Sequence, residues 1–250
     1  MKVTIIGSGT MVPSIERNSS GVLIENEGIR SMVDFGYGTM HHLLRLGLTY
    51  HDVDRIYFTH NHPDHMCDLV PFLFASRYQS DPREKNLEII AGPGFRQYFE
   101  TLMKAYKLWL IPTTYKVQIL EQDEETKNFD GLAVTSKKMK HIELSRGYRF
   151  QSDNGTSLAV SGDTEYCEEM IDLGKETDLM ILECSTPDNM KLPGHLTPIE
   201  CGKLAQKTGC RKLCLTHFYP VCDLKDVRAK CSTEYNGELF LAEDLMEFNI

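Results

Sequence analysis

One short segment holds most of the reactive chemistry in this sequence. Thr59-His60-Asn61-His62-Pro63-Asp64-His65 places three imidazoles and one carboxylate within six residues, a dense set of ligands of the kind that bind divalent transition metals. His60 and His62 are two apart, so an extended backbone turns both to the same side. Asp64 and His65 follow on the turn into a helix, where Pro63 is tolerated. One such cluster seldom completes a metal site. Three further ligand-type residues stand alone, each just past a strand-like stretch: His141 after Val134–Lys140, Asp163 after Leu158–Gly162, and His217 after Leu213–Thr216. Taken singly, each reads as an ordinary hydrogen-bonded residue at a strand end. Together they repeat the layout of His60, and open α/β sheets gather ligands at the carboxyl ends of strands.

The elements that must carry these residues follow from hydrophobic period and turn chemistry. Strands are expected at Lys2–Gly7, Gly21–Glu25, Arg30–Asp34, Arg55–Thr59, Leu87–Ala91, Tyr115–Leu120, Leu132–Met139, Tyr148–Ser152, Ser157–Ser161, Leu179–Glu183, Lys212–Thr216 and Glu238–Leu241. Helices are expected at Thr39–Leu46, Met66–Ser76, Gly94–Tyr106, Cys167–Leu173, Pro198–Thr208 and Asp223–Lys230. Thr197 suits the N-cap of the Pro198 helix and Gly209 its C-cap. Strands come first in each half and then alternate with helices. That order implies an α/β fold with two sheets packed together and helices outside. The polar stretch Glu121–Asp130 reads as a surface turn near the midpoint, so residues 1–250 are expected to form a single domain.

Composition sets the outer limits. The chain has 250 residues, 41% hydrophobic and 25% charged, which excludes a mostly disordered protein. Its formal net charge of −9 argues against broad electrostatic binding to nucleic acid. No apolar run reaches the roughly 18–20 residues of a membrane helix. The eight cysteines form no C-x-x-C pair. With no signal-peptide core they are read as reduced, mostly buried thiols of a cytoplasmic protein.

The order His-x-His-x-Asp-His, then His141, Asp163 and His217, resembles the metallo-β-lactamase superfamily over nearly the whole chain. The match includes Asp34-Phe35-Gly36, Ser161-Gly162-Asp163-Thr164 and Leu215-Thr216-His217-Phe218. The resemblance implies a four-layer αβ/βα sandwich of two mixed sheets. It also implies a dinuclear metal centre: His60, His62 and His141 on one ion, Asp64, His65 and His217 on the other, and Asp163 bridging them. Two divalent ions roughly 3.5–4 Å apart can polarise a phosphoryl or carbonyl oxygen and hold a bridging hydroxide as nucleophile. Zinc is the expected metal, with manganese and iron as alternatives. Asp64 then belongs to the catalytic group as well as to the ligands.

Two segments point to a branch. Leu182-Glu183-Cys184-Ser185 and Gly194-His195-Leu196-Thr197 are similar to the Glu- and His-containing motifs of ribonuclease Z-like enzymes and related phosphodiesterases. By that likeness His195 assists the leaving oxygen and Glu183 orients it. An alkoxide leaving group is poor, so a proton donor near neutrality is worth about 10²–10⁴-fold. His141 and Asp163 are only 22 positions apart, little more than a hairpin, whereas the resembled tRNA-processing enzymes insert a long clamping arm there. A small anionic phosphodiester or nucleotide-like substrate is therefore expected, with RNA a less favoured partner and tRNA 3′-end processing an alternative. Hydrolysis of a carbon-centred ester, a thioester or lactone, is the other alternative on the same frame. The resemblance and the aromatic-rich middle are compatible with a homodimer.

Weaker signals are read conservatively. Gly7-Ser8-Gly9-Thr10 lacks the full dinucleotide pattern and is taken as the turn after the first strand, near the metal pocket. The aromatic residues between Asp68 and Leu110, Phe72, Phe74, Tyr98, Phe99 and Trp109 among them, are taken as helix packing. Arg77 and Arg83 are taken as a solvated face, and His41, His42 and His51 as structural. The Lys137-Lys138-Met139-Lys140 run is the basic patch beside a candidate ligand.

Overall fold

Alternation along the strands sorts the apolar residues into three separate layers. In β1 (Lys2–Gly7), β2 (Gly21–Asn26), β3 (Ile29–Val33), β4 (Arg55–Tyr57) and β5 (Leu87–Ala91), one set of side chains, Val3, Ile5, Val22, Ile24, Val33, Tyr57 and Ile90, faces a central core. The opposite set, Ile6, Leu23, Met32, Ile56 and Ile89, faces outward into a second core. The computed structural model, which describes residues 1–250, joins these strands with β6 (Val117–Glu121) and β14 (Glu247–Asn249) into one seven-stranded sheet, ordered β14-β1-β2-β3-β4-β5-β6.

The second sheet has the order β13-β12-β11-β10-β9-β8-β7. It contains β7 (Thr126–Phe129), β8 (Leu132–Lys138), β9 (Arg146–Ser152), β10 (Ser157–Val160), β11 (Leu179–Glu183), β12 (Lys212–Thr216) and β13 (Glu238–Leu241). Leu158, Val160, Leu179 and Ile181 meet the first sheet in the central core, while Ala159, Met180, Leu182 and Leu215 face a third core on the far side. A one-residue slip in any of these strands would exchange its two faces. Both sheets are mixed: β3 to β6 run parallel and β14 to β3 antiparallel, and β10 to β13 run parallel and β7 to β10 antiparallel.

Helices cover the outer cores. Leu43 of α1 (Thr39–Arg45), Leu69, Phe72 and Leu73 of α3 (Leu69–Ala75), and Phe95 and Phe99 of α4 (Phe95–Tyr106) pack on the first sheet. Met170 of α5 (Glu168–Gly174), Leu204 of α6 (Pro198–Thr208) and Val227 of α7 (Leu224–Cys231) pack on the second. The chain is thus a four-layer αβ/βα sandwich. α6 starts in a Thr197/Glu200 capping box with Pro198 in the first turn and ends at left-handed Gly209.

Three local readings change. The Glu121–Asp130 stretch is not only a turn, because Thr126–Phe129 forms β7. Asp130 (φ 52°) and Gly131 (φ 80°) close a two-residue hairpin that pairs Phe129 with Leu132. Asp-Gly is the expected dipeptide for that turn, and Phe129 then packs edge-on against Tyr57. The helix expected at Met66–Ser76 is two helices, α2 (Pro63–Met66) and α3, broken at Cys67-Asp68. Asp68 turns its carboxylate to the start of α1, accepting from the Met40 amide at 2.9 Å. Arg83 is not on a solvated face: it is fully buried, donates to the carbonyls of Tyr50, Val53, Lys85 and Asn86, and lies against the Phe72 and Tyr115 rings.

Candidate metal centre

The carboxyl ends of β4, β8, β10, β11 and β12 share one rim of the sandwich, and each delivers a polar residue to it. β4 leads into His60 and His62, and α2 then presents Asp64 and His65. β8 leads to His141, β10 to Asp163, β11 ends at Glu183, and β12 leads to His217. The donor atoms of His60, His62, His141 and Asp163 lie within 4.8 Å of one another, and those of Asp64, His65 and His217 form a second such group. Asp163 faces both. Its Oδ2 is 3.7 Å from His60 Nε2 and 3.8 Å from His141 Nε2. Its Oδ1 is 3.3 Å from His65 Nε2 and 3.4 Å from His217 Nε2.

The outer nitrogen of each imidazole determines what the inner one presents. His141 Nδ1 is 2.9 Å from the Gly194 carbonyl. A carbonyl only accepts, so His141 carries its proton on Nδ1 and turns a bare Nε2 inward. His65 Nδ1 lies 2.7 Å from Asp34 Oδ2. Thr59 Oγ1 donates to Asp34 and so accepts from His60 Nδ1 at 3.0 Å. Ser185 Oγ donates to Glu183 Oε2 at 2.8 Å and accepts from His217 Nδ1 at 3.0 Å. In their neutral forms these four imidazoles direct Nε2 lone pairs into one buried space. His65 Nε2 and His217 Nε2 are 3.3 Å apart, and His141 Nε2 is 3.1 Å from His62 Nδ1. The buried His60 Nε2 and Asp163 Oδ1 have no hydrogen-bond partner. Facing lone pairs and orphaned buried acceptors repel unless a cation lies among them, so the residues present fit divalent metal.

The electrostatics draw positive charge into the cluster: burial opposes it on His65 and His217, but Asp163, with Asp34 beside His65 and Asp64 beside His217, outweighs burial and raises both pKa values. Burial, with the charges of neighbouring imidazoles, pushes the His60 pKa far below the usual range, so it stays a neutral ligand. Burial also lowers His141. Burial works against ionised Asp64, but the bond to His217 and the charges of His65 and His217 hold its carboxyl well below the usual range. Metal-bound imidazoles and carboxylates must be deprotonated.

His195 stands at the edge of this group. Its Nδ1 is 3.0 Å from Glu183 Oε1 and 3.1 Å from Ser185 Oγ, and its ring lies parallel to that of His217, 5.9 Å away. Glu183 is buried and also accepts from the Thr164 and Ser185 amides. Burial disfavours the His195 cation, but the hydrogen bond to Glu183 and the charges of Glu183 and Asp163 outweigh it and raise the pKa. The contacts occupy Nδ1 and leave Nε2 without a protein partner, and Glu183 favours the cationic form of the ring.

Backbone strain collects around the site. Asp34 (φ 60°) and His217 (φ 63°) adopt left-handed conformations that are unusual for non-glycine residues and cluster at functional sites. Gly194 (φ 80°) sits so close to His141 that a Cβ would come 2.5 Å from its Nδ1, and a Cβ on Gly36 would come 2.1 Å from the Asp64 carbonyl oxygen.

All seven candidate ligands, with Glu183 and His195, thus converge on one site. Asp34 and Ser185 were not singled out by sequence reasoning, although each lies inside a motif it quoted. A carboxylate or hydroxyl at a strand end beside a ligand run was the available signal. Of the histidines set aside, His42 bonds the Ile6 carbonyl oxygen at 2.7 Å and His51 pairs with Asp81 at 3.1 Å. The basic run beside His141 is largely neutralised, Lys137 by Asp172 and Lys138 by Glu143. No helix is long and apolar enough to cross a membrane.

Comparison with known proteins accords with this geometry. The model of the beta-lactamase superfamily domain matches residues 32–218. A ribonuclease Z of Brevibacillus brevis is 27% identical over 88% of this chain and 86% of its own. The crystal structure of the metallo-beta-lactamase fold protein YhfI from Bacillus subtilis superposes with a TM-score of 0.86 at 24% identity, covering 99% of this chain and 98% of that one. The short form of human tRNase Z superposes with a TM-score of 0.79 at 25% identity, covering 100% and 99%.

Proposed function

Since the chain belongs to the beta-lactamase superfamily and is a metal-dependent hydrolase, we propose that it is a phosphodiesterase in which His195 protonates the leaving oxygen. The observation that carries this reading is the Glu183–His195 contact of 3.0 Å beside the ligand cluster. Hydrolysis at a carbon centre with a thiolate leaving group has no need of a dedicated proton donor. A phosphodiester losing an alkoxide does.

In this reading residues 1–250 act as one hydrolase unit. His60, His62 and His141 would hold one divalent ion, Asp64, His65 and His217 a second, with Asp163 between them and zinc as the resident metal. When bound, such ions supply Lewis acidity and hydroxide at neutral pH. Around them the protein orients and transfers protons. Asp34, Ser185 and the Gly194 carbonyl hold the outer nitrogens of His65, His217 and His141. Glu183 keeps His195 charged and correctly turned. As the phosphorus–oxygen bond to the leaving group breaks, the proton on His195 Nε2 passes to the departing oxygen, and the neutral imidazole keeps its Nδ1–H bond to Glu183.

We assign a small diester in preference to structured RNA. The interval between His141 and Asp163 holds one hairpin, β9 and β10, and the net charge is −9. The eight free thiols suit a reducing cytoplasm.

The test is turnover of 2′,3′- and 3′,5′-cyclic nucleotides, a precursor tRNA, a thioester and a lactone by zinc- or manganese-loaded protein. Cyclic-diester turnover that falls by about 10²-fold or more in His195→Ala supports the reading. Activity confined to the thioester or lactone overturns it, and activity confined to the tRNA replaces the small substrate with RNA.

A further inference from the structure

Beside the His195–His217 pair lies an aromatic side chain that the foregoing mechanism does not use. Tyr219 follows His217 by two residues, past the left-handed turn at His217 (φ 63°). Its amide donates to the Ser185 carbonyl at 3.2 Å, so its backbone is anchored to the segment that holds Glu183 and His195. Its ring stands edge-on to both imidazoles, 6.4 Å and 80° from His195 and 6.1 Å and 78° from His217. It therefore stands beside both a metal-ligand candidate and the proposed proton donor.

The side chain is half-buried. Its hydroxyl bonds to no protein group, yet it is not sealed in the interior. A phenol is protonated at neutral pH and has one hydrogen to give.

We propose that Tyr219 is a substrate-contacting residue whose phenolic O–H donates to a non-bridging oxygen of the phosphoryl group. His195 serves the leaving oxygen from one side, and Tyr219 serves the charge that builds on the phosphoryl group from the adjacent side. The role is specific to an anionic tetrahedral group, because a planar neutral ester presents less charge to the donor. The inference takes its substrate from the phosphodiesterase reading, but the contact can be measured without turnover.

The experiment compares metal-loaded wild-type protein with Tyr219→Phe, which keeps the ring and its packing and removes only the hydroxyl. Inorganic phosphate binding is titrated calorimetrically, and bis-p-nitrophenyl phosphate turnover is followed in parallel with metal content. The expected result is unchanged metal content, phosphate affinity weakened roughly tenfold, and kcat/KM lowered about tenfold to hundredfold, mainly through kcat. A variant within twofold of wild type in phosphate affinity overturns the proposal, as does a wild type that binds no phosphate. If the wild type binds phosphate but hydrolyses no diester, the phosphodiesterase reading fails alone, and the phosphate titration still decides the role of Tyr219.

Discussion

Asp34 Oδ2 lies 2.7 Å from His65 Nδ1, across 31 residues of sequence. The same carboxylate accepts from the Thr59 amide and hydroxyl, each at 2.8 Å, and Thr59 in turn orients His60. One residue at the end of β3 thus orients imidazoles in both ligand groups. Such outer partners typically contribute 10–100-fold in metal affinity. Asp34→Ala should weaken zinc binding by about that factor while the far-ultraviolet circular dichroism stays native. Competition with a chromophoric chelator measures the affinity, and wild-type zinc affinity in the variant would refute the link.

The role proposed for His195 ties its contribution to the chemistry of the leaving group. His195→Ala should cost about 10²–10⁴-fold on a cyclic nucleotide, whose leaving group is an alkoxide, and less than about tenfold on bis-p-nitrophenyl phosphate, whose phenolate leaves unaided. Kinetics on both substrates decide the matter. Equal losses on the two would mean that His195 does not act as the acid.

Ser185 bridges a ligand candidate and the proposed proton donor. It lies 3.0 Å from His217 Nδ1 and 3.1 Å from His195 Nδ1. Ser185→Ala should lower kcat by about tenfold to hundredfold and weaken one metal equivalent, whereas Ser185→Thr, which keeps the hydroxyl, should restore both. Failure of the threonine variant to recover either property would argue against a positioning role.

Gly194 and His141 are too close for any other residue at position 194. With φ at 80° and a Cβ only 2.5 Å from Nδ1, Gly194→Ala must displace the imidazole or the loop. We expect a loss of about 1–3 kcal/mol in stability and poorer binding of the ion assigned to His60, His62 and His141. Thermal melts with and without metal test this, and an unchanged melting temperature in both states would contradict it.

Arg83 is a structural staple. Its guanidinium is fully buried among four carbonyls and two aromatic rings, with no carboxylate partner. Arg83→Ala would leave those carbonyls unsatisfied around a cavity and should destabilise the fold by about 3–4 kcal/mol. Urea unfolding reads the change. A loss under about 1 kcal/mol would show that water takes over the bonds.

Much of this was legible along the chain. His60, His62, Asp64 and His65 are neighbours in sequence, and their geometry follows from a strand entering a helix through Pro63. Apolar runs marked the strand ends that carry Asp163 and His217, because buried strands must be apolar whichever way the chain later folds, and the alternating Leu132–Lys138 marked the strand before His141. The unbroken apolar runs Leu158–Val160 and Leu179–Leu182 likewise required two apolar faces, and so a core on each side.

What needed the folded molecule were relationships between distant elements. That Asp34 would meet His65, and Ser185 both His195 and His217, depends on the order of strands in each sheet, which no local pattern encodes. Arg83 reads as surface in sequence because its partners are backbone carbonyls, and carbonyls have no residue identity. The polar β7 became a strand because the Asp130-Gly131 turn and the ladder to β8 supply its hydrogen bonds, while only Phe129 needs burial. The distances around Asp163, which bring two ligand groups onto one carboxylate, arise only where the rims of the sheets close on one another.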